Sequence, residues 1–400
     1  MQTASSPILR KVHCAWARRD EQEVRDQPPK RCVHRGKRLG FLMYARAATK
    51  SDFFSSQGWS TLCAQSPAAI PVGNKAFFLE TRLTNPSKAI GAHHSLRVSV
   101  IIPTYLRPEM LLKCVESILA GSLRPDEIVV VGREGDRHTR EAIENIRAAP
   151  HPGAVIRSAW VTEPGHVPPV ETGARIASSD LVAIVDDDVT VTPEWLSSLV
   201  PHFADPNVGV VGGRVLLPGE PLPKLKGKPG CVSWYGKQWA NLGSTGGEAA
   251  FQVDSVMEGN SIWRRELLVS LEFDPILNFD DAVMYGLDLC FQAKERGYKL
   301  LYEPRALAYD HAAPRAPELD RQRRGLRLFC LCRNHTYIIL KRVSFGRRLA
   351  FLAWWFLIGE RGAWGIGSLA VDILQDGWRK KRFVAEAWRG KMEGIRLLLR

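Results

Sequence analysis

The sequence predicts an α/β protein with a mostly parallel central sheet flanked by helices, followed by a C-terminal helical extension. Three observations carry that expectation. Apolar runs of strand length alternate with helical apolar spacing from residue 98 to residue 185, the pattern of right-handed β-α-β units. The last of those runs, Val182-Ala183-Ile184-Val185, passes straight into Asp186-Asp187-Asp188. Composition also changes near residues 95 and 315, which divides the 400 residues into a basic N-terminal region (1–95), a central domain (96–315) and a basic, Trp-rich extension (316–400).

Residues 1–95 hold scattered Arg, Ser, Pro and Gln with little apolar periodicity, and read as largely disordered. Residues 98–103 form a first strand. Pro108 suits the first turn of a helix in which Leu111, Leu112, Val115, Ile118 and Leu119 recur at helical spacing. A second strand follows at 127–131, then a helix from the cap Asp136 to about 149, a strand at 155–161, a helix at 169–177 and a fourth strand at 181–185. Thr192-Pro193-Glu194-Trp195 opens the next helix. Further strands are expected at 208–217 and 250–256, around a loop rich in Gly, Lys and Pro. A helix at 287–296 is stopped by Gly297, and two short strands are expected at 299–302 and 307–309.

In the extension, residues 349–358 are apolar but interrupted by Glu360 and Arg361, too short for the ~20 residues that cross a bilayer. Arg347, Arg348 and Arg379-Lys380-Lys381-Arg382 flank the stretch, with Trp354, Trp355, Trp364, Trp378 and Trp388 scattered through it. That is the composition of an interfacial anchor, and equally of helices that pack on the central domain. The net charge of +13 is uneven: +9 over residues 1–95, −7 over 96–315 and +11 over 316–400. An acidic middle between basic ends argues against nucleic-acid binding, which needs a basic face. It fits an acidic metal site whose tail meets an anionic membrane surface. The eight cysteines show no paired CxxC spacing and no zinc-type cluster, Cys114 and Cys290 fall on apolar helical faces, and a reducing compartment is expected. No apolar run near the N-terminus is long enough for a signal peptide. The expectation is a cytoplasmic protein associated peripherally with the inner face of the plasma membrane.

Strands buried on both faces release their ends at the carboxyl edge of the sheet, where open α/β folds bind ligands. Short Asp runs are usually acidic turns or helix caps, but an apolar strand leading into the acids favours a metal site. If the chain stays extended there, Asp186 and Asp188 point one way and can grip a divalent ion, Mg²⁺ or Mn²⁺, while Asp187 turns aside.

Taken in order, these motifs resemble the family 2 glycosyltransferases of the GT-A fold, over roughly residues 97–315. Val98-Ser99-Val100-Ile101-Ile102-Pro103-Thr104-Tyr105 with Arg107 is similar to the family's opening strand and nucleotide loop, Pro125 to Val131 to its second unit, and Ile184-Val185-Asp186-Asp187-Asp188 to its metal motif. Gly259 to Arg265 resembles the segment entering the acceptor side; Leu287-Asp288-Leu289-Cys290, Gly297-Tyr298 and Tyr302-Glu303-Pro304 resemble the last helix and strand. The resemblance implies an inverting, metal-dependent transfer of a sugar from a nucleoside diphosphate sugar to a hydroxyl of a glycan or lipid-linked acceptor in surface polysaccharide or glycolipid synthesis. It puts Pro103, Thr104 and Tyr105 by the base, with Arg107 on the nucleotide, and implies that Asp186 and Asp188 hold the metal, with Asp187 beside them. His311, after the final strand, either reaches the metal or diphosphate or is a surface side chain. Two departures stand out. Where relatives carry two acids after the second strand, this chain has Gly132-Arg133-Glu134-Gly135-Asp136, so that Arg133 is free to meet a phosphate and Glu134 or Asp136 to replace the missing acid. Where relatives place a Glu-Asp pair as catalytic base, the matching positions are Tyr285 and Gly286. The base is then Asp281, Asp280 or Asp288, with Asp281 the first choice. The alternative is a catalytically degraded homologue that binds nucleotide sugar or serves as a scaffold.

Overall fold

The computed structural model describes residues 96–149, 153–219, 229–239, 243, 249–279, 284–312, 323–360, 362–376 and 381–400. The chain divides into two units, Met1–Ala89 and Ile90–Arg400, and every described residue lies in the second. The N-terminal region expected to be disordered therefore falls outside the described residues.

The first half of the sheet follows the apolar pattern closely. β1 (Val98–Pro103) is buried at all six positions, because a central parallel strand is covered on both faces. Helix α1 (Pro108–Leu119) starts on its proline and buries Leu111, Cys114, Val115 and Ile118. β2 (Glu127–Arg133) leads to α2 (Arg137–Ala148), which Asp136 caps by accepting from the Thr139 N–H. β3 (Val155–Val161), α3 (Val167–Ile176) and β4 (Leu181–Val185) complete the β-α-β series. β1 pairs in parallel with β2 and β4, and β2 with β3. This parallel half, with acids at the carboxyl edge of its β4, is the GT-A arrangement that the resemblance implies.

The second half is mixed. β5 (Val189–Val191) and α4 (Trp195–Leu199) follow the acids, then β6 (Val208–Leu216), β7 (Phe251–Val253), β8 (Asn260–Arg264), α5 (Arg265–Ser270), α6 (Tyr285–Glu295) and β9 (Lys299–Asp310). The sheet order is β3-β2-β1-β4-β8-β6-β9-β5, with β7 also on β9. β8 runs antiparallel to both β4 and β6, which carries the chain across the middle of the sheet and puts the turn before β8 beside the acids. The two short strands expected at 299–302 and 307–309 are one strand. The interruption signalled by Pro304 survives as a slip in register, with Glu303 opposite Gly213 but Leu307 opposite Arg214.

The extension packs on the central domain. α7 (Arg323–Arg342) reaches it through the Tyr337 hydroxyl and Lys341 Nζ, which donate to Asp274 Oδ2 at 2.8 and 2.7 Å. After α8 (Phe345–Ala353) and a π-helical turn (Trp354–Ile358) come a β10 (Gly359–Glu360)–β11 (Ala363–Trp364) hairpin, α9 (Ile366–Asp376) and α10 (Lys381–Leu397). Trp354, Trp355 and Trp364 are buried in this layer's own core with Phe351. Lys391 is fully buried and donates to the carbonyls of Trp355, Ala363 and Trp364 at 2.6, 3.1 and 2.9 Å. Of the two readings left open for the Trp-rich stretch, Trp354 and Trp355 take the packed one: with Phe351 they sit in the core of the extension, whereas Leu349, Leu357 and Ile358 of the same run are exposed. No described helix is long and apolar enough to cross a membrane.

Candidate functional site

The site is assembled from the carboxyl edges of β1, β2 and β4 and from the turns before β8 and after β9. Asp186, Asp187 and Asp188 occupy a turn, closed by the Val189 N–H on the Asp186 carbonyl at 3.2 Å. The two-residue alternation expected of an extended segment therefore ends at Val185: Asp186 turns one way, while Asp187 and Asp188 converge on Arg107. Asp186 Oδ1 lies 3.2 Å from His166 Nε2. Asp187 accepts from Thr104 Oγ1 at 2.8 Å and from Arg107 Nη1 at 3.0 Å, and the same Arg107 Nη1 donates to Asp188 at 2.9 Å. Burial pushes the Asp187 carboxyl up to about 6, opposed by the Arg107 charge and the Thr104 hydrogen bond.

The loop at 103–107, expected to meet the nucleotide, leaves β1 at the same edge. Pro103 ends β1 and the Thr104 N–H bonds the Val131 carbonyl at 3.0 Å, fixing the loop to the edge of β2. Tyr105 stands 46% exposed, with the Arg133 guanidinium 4.9 Å from its ring centroid. An aromatic ring and a cation thus face solvent beside the acids. Asp136 is almost fully buried: besides capping α2 it accepts from the Leu106 N–H at 2.5 Å, so it shapes the loop.

His311 sits next to the acids through its backbone, whose N–H bonds the Asp188 carbonyl at 2.9 Å, while its ring Nε2 pairs with Thr190 Oγ1 at 2.8 Å. Asp288 lies away from the edge. Its two oxygens take Arg342 Nε and Nη2 at 2.6 and 2.8 Å and Gln292 Nε2 at 2.9 Å, which makes it the joint between α6 and α7. Asp280 and Asp281 lie outside the described residues.

Four residues that sequence reasoning passed over join the site. Asp310 has its carboxyl raised by burial and by the nearby charges of Asp188 and Asp186. His166 holds Asp186; burial pulls its imidazole down, but that hydrogen bond and charge raise it on balance, and its Nδ1 is buried without a partner among the described residues. The Tyr285 hydroxyl, also buried without a partner among the described residues, has its ring centroid 5.6 Å from that of His166. Glu258, in the turn before β8, accepts from the Gly286 N–H at 3.0 Å, and burial raises its carboxyl. A lone His in a loop and a Glu before a Gly-Asn pair carry no spacing signal. Asp310, beside the noted His311, was the most findable of the four.

The donor set suits a hard divalent ion. The acids offer oxygen, a guanidinium already rests between two of them, and a Cβ on Gly259 would collide with Asp186 Oδ2, so glycine alone keeps that carboxylate clear. Among the described residues no three His, Cys, Asp or Glu side chains converge on one point. An ion here would complete its shell with other oxygens, as Mg²⁺ does with substrate phosphates.

Residues 99–250 match the family model Glycosyl transferase family 2. The pre-mycofactocin glycosyltransferase of Mycobacterium tuberculosis is 32% identical over 146 residues, 35% of this chain and 29% of that protein. The glucosyl-dolichyl phosphate glucuronosyltransferase of Haloferax volcanii is 30% identical over 128 residues, 30% of this chain and 39% of that protein. The matched stretches thus span less than half the length of either relative. Among solved structures, the mannosyltransferase PcManGT from Pyrobaculum calidifontis, in complex with GDP-Man and Mn²⁺, is similar at a TM-score of 0.49 and 17% identity, covering 76% of this chain and 88% of its own. The ordered motifs, the parallel β-α-β half and the matched segment agree: residues 99–250 of this chain are similar to glycosyl transferase family 2.

Proposed function

We propose that this protein is an inverting, metal-dependent glycosyltransferase that moves a sugar from a nucleoside diphosphate sugar to a hydroxyl of a glycan or lipid-linked acceptor. The observation that carries the reading is the Arg107 guanidinium held between Asp187 and Asp188, a cation seated on acids beside the solvent-facing Tyr105. Asp186 and Asp188, with Asp310 and His311 close by, would hold Mg²⁺ or Mn²⁺. When bound, such an ion neutralises the charge that develops on the leaving diphosphate. Tyr105 offers a face for the base, and Arg133 and Arg107 supply positive charge for the phosphates. Asp136 and Thr104 keep the loop in shape, and His166 orients Asp186. Calorimetric titration of UDP and GDP with Mn²⁺, followed by nucleoside diphosphate release from a panel of nucleotide sugars, tests the reading. Absence of Mn²⁺-dependent binding by any nucleoside diphosphate would overturn it.

A lipid-linked acceptor is supported by the dolichyl phosphate named for the Haloferax relative and by the surface of the extension. Seven of its large apolar side chains are exposed between residues 345 and 374: Phe345 and Leu349 on α8, Leu357 and Ile358 on the π turn, and Ile366, Val371 and Leu374 on α9. A Cβ on Gly367 would lie 3.3 Å from the Leu357 carbonyl, so the start of α9 abuts that turn. Singly scattered apolar residues need no explanation, but a run of this kind marks a contact surface. Arg347, Arg348 and the basic run 379–382 border it in sequence. Two copies meeting there would bring like charges together, whereas an anionic bilayer matches both the charge and the apolar face. The proposed seat is therefore peripheral, on the cytoplasmic face of the membrane. Flotation with phosphatidylglycerol vesicles but not phosphatidylcholine vesicles is expected. Failure to float with either, or loss of the exposed face to a dimer in solution, would remove this part of the reading.

A further inference from the structure

The family resemblance implies a carboxylate pair at the positions of Tyr285 and Gly286, and this chain has none there. The structure shows what fills the space. Gly286 lies in the first turn of α6, and a Cβ built on it would collide with Glu258 Cγ and stand 2.8 and 2.9 Å from Glu258 Cδ and Oε1. The carboxylate of Glu258 therefore occupies the volume that a side chain at position 286 would enter. It is fixed there by the Gly286 N–H on Oε1 at 3.0 Å. The strand order brings Glu258 there. β8 runs antiparallel beside β4, so the turn that precedes β8 lies against the turn that follows β4. Gly259, the next residue, fits against the Asp186 carboxylate with no room for a Cβ. Glu258 is thus held between the acid run and the N-terminal turn of α6.

Its surroundings are those of a working group. Among the described residues, no Lys, Arg or hydroxyl side chain donates to Glu258, whereas Asp288, two residues beyond Gly286, has both oxygens occupied by Arg342 and Gln292. The unpartnered Tyr285 hydroxyl and His166 Nδ1 belong to the same polar cluster.

We propose that Glu258 is the catalytic base of the transfer, its carboxylate standing where Gly286 has no side chain to offer. This rests on the glycosyltransferase reading above. In the step, the acceptor O–H bond breaks and its proton passes to a carboxylate oxygen of Glu258. The acceptor oxygen forms its bond to the anomeric carbon, and the bond from that carbon to the diphosphate breaks, its electron pair leaving with the diphosphate oxygen.

The test uses the full chain with Mn²⁺ and a panel of UDP- and GDP-sugars, reading nucleoside diphosphate release to water or to added polyprenyl-phosphate acceptor. Glu258→Gln keeps the shape and loses the base. Its kcat is expected to fall at least about 100-fold, the lower end of what general-base catalysis contributes, with Mn²⁺-dependent UDP or GDP affinity unchanged within twofold. The paired variant Glu258→Gly with Gly286→Glu moves the carboxylate to the facing backbone and is expected to recover at least about tenfold over Glu258→Gln. Should Glu258→Gln retain kcat within threefold of the parent, or the paired variant recover nothing, Glu258 is not the base, while parental turnover leaves the transferase reading standing. A parent chain that binds nucleotide yet turns over no sugar is a degraded homologue, and the base assignment falls with the transfer. If it binds no nucleoside diphosphate at all, the transferase reading has failed first.

Discussion

At the carboxyl edge of β4, three carboxylates share one guanidinium and one imidazole, and two buried polar atoms beside them lack partners among the described residues. In the C-terminal layer and its joint with α6, by contrast, the charges are matched. Lys391 meets three carbonyls, Asp288 meets a bidentate arginine, and Asp372 takes the Trp364 indole N–H at 2.7 Å. Both regions remove charge from water, which is costly unless hydrogen bonds replace it. Among the described residues only the second matches its charges fully, although the Trp388 indole N–H there is also buried without a partner. On the proposed reading, the acids of the first region are where an ion and a diphosphate enter.

The sharpest way to break that comparison is Asp188→Ala. Transfer is expected to drop to background and Mn²⁺-dependent nucleotide affinity to disappear, with the unfolding midpoint unchanged or raised because like charges have been thinned. Retained metal-dependent turnover would show that the acids are only a charged turn. The converse is Arg342→Met, which strands the buried Asp288 carboxylate. A loss of about 3–5 kcal/mol in urea unfolding is expected, with nucleotide affinity per folded molecule unchanged. A cost below about 1 kcal/mol would mean that the joint is not the matched pair it looks.

A smaller effect comes from His335, whose imidazole burial lowers to about 4 from its usual 6.5. Its Nε2 faces the Gly236 carbonyl at 2.9 Å, and the Lys391 charge adds to the lowering. Because the folded value is depressed, the unfolded chain binds this proton first. Stability from His335 is full above pH 6.5 and is lost as pH falls towards 4, roughly 3 kcal/mol across the window. Urea unfolding of the parent and of His335→Asn at pH 7 and pH 4.5 checks the sign. A parent no more acid-sensitive than the variant would contradict it. The smallest expected change is Tyr105→Ala, where loss of a stacking face worth about 1–3 kcal/mol should raise the nucleoside diphosphate Kd about tenfold without moving stability. Unchanged affinity by calorimetry would take Tyr105 out of the nucleotide site.

The same contrast separates what the sequence disclosed from what it hid. β1, β2 and β4 were legible because each is an apolar run bounded by turn residues, and the Asp136 cap because the side chain and its target lie three residues apart. The acid run was legible as a site for the same reason of local adjacency. Glu258 and His166 were not, since each reaches the acids only through strand order: β8 must insert beside β4 before residues 186 and 258 can meet. The Trp354-Trp355 pair left two readings open because an apolar stretch looks alike whether it faces lipid or its own helices. Burial, decided by α7 and α10, settled the direction, and the exposed face belongs instead to residues such as Leu349 and Leu374.

Arg107 donates one nitrogen to both Asp187 and Asp188. On the proposed reading, Asp188 can turn to an ion only as the guanidinium lets go, and a diphosphate is what gives it somewhere to go. Ion and nucleotide then raise each other's affinity by the same factor, as thermodynamic reciprocity requires. Loading becomes an exchange of partners, and the order of addition should matter little to the final complex but a great deal to how tightly either component is held alone.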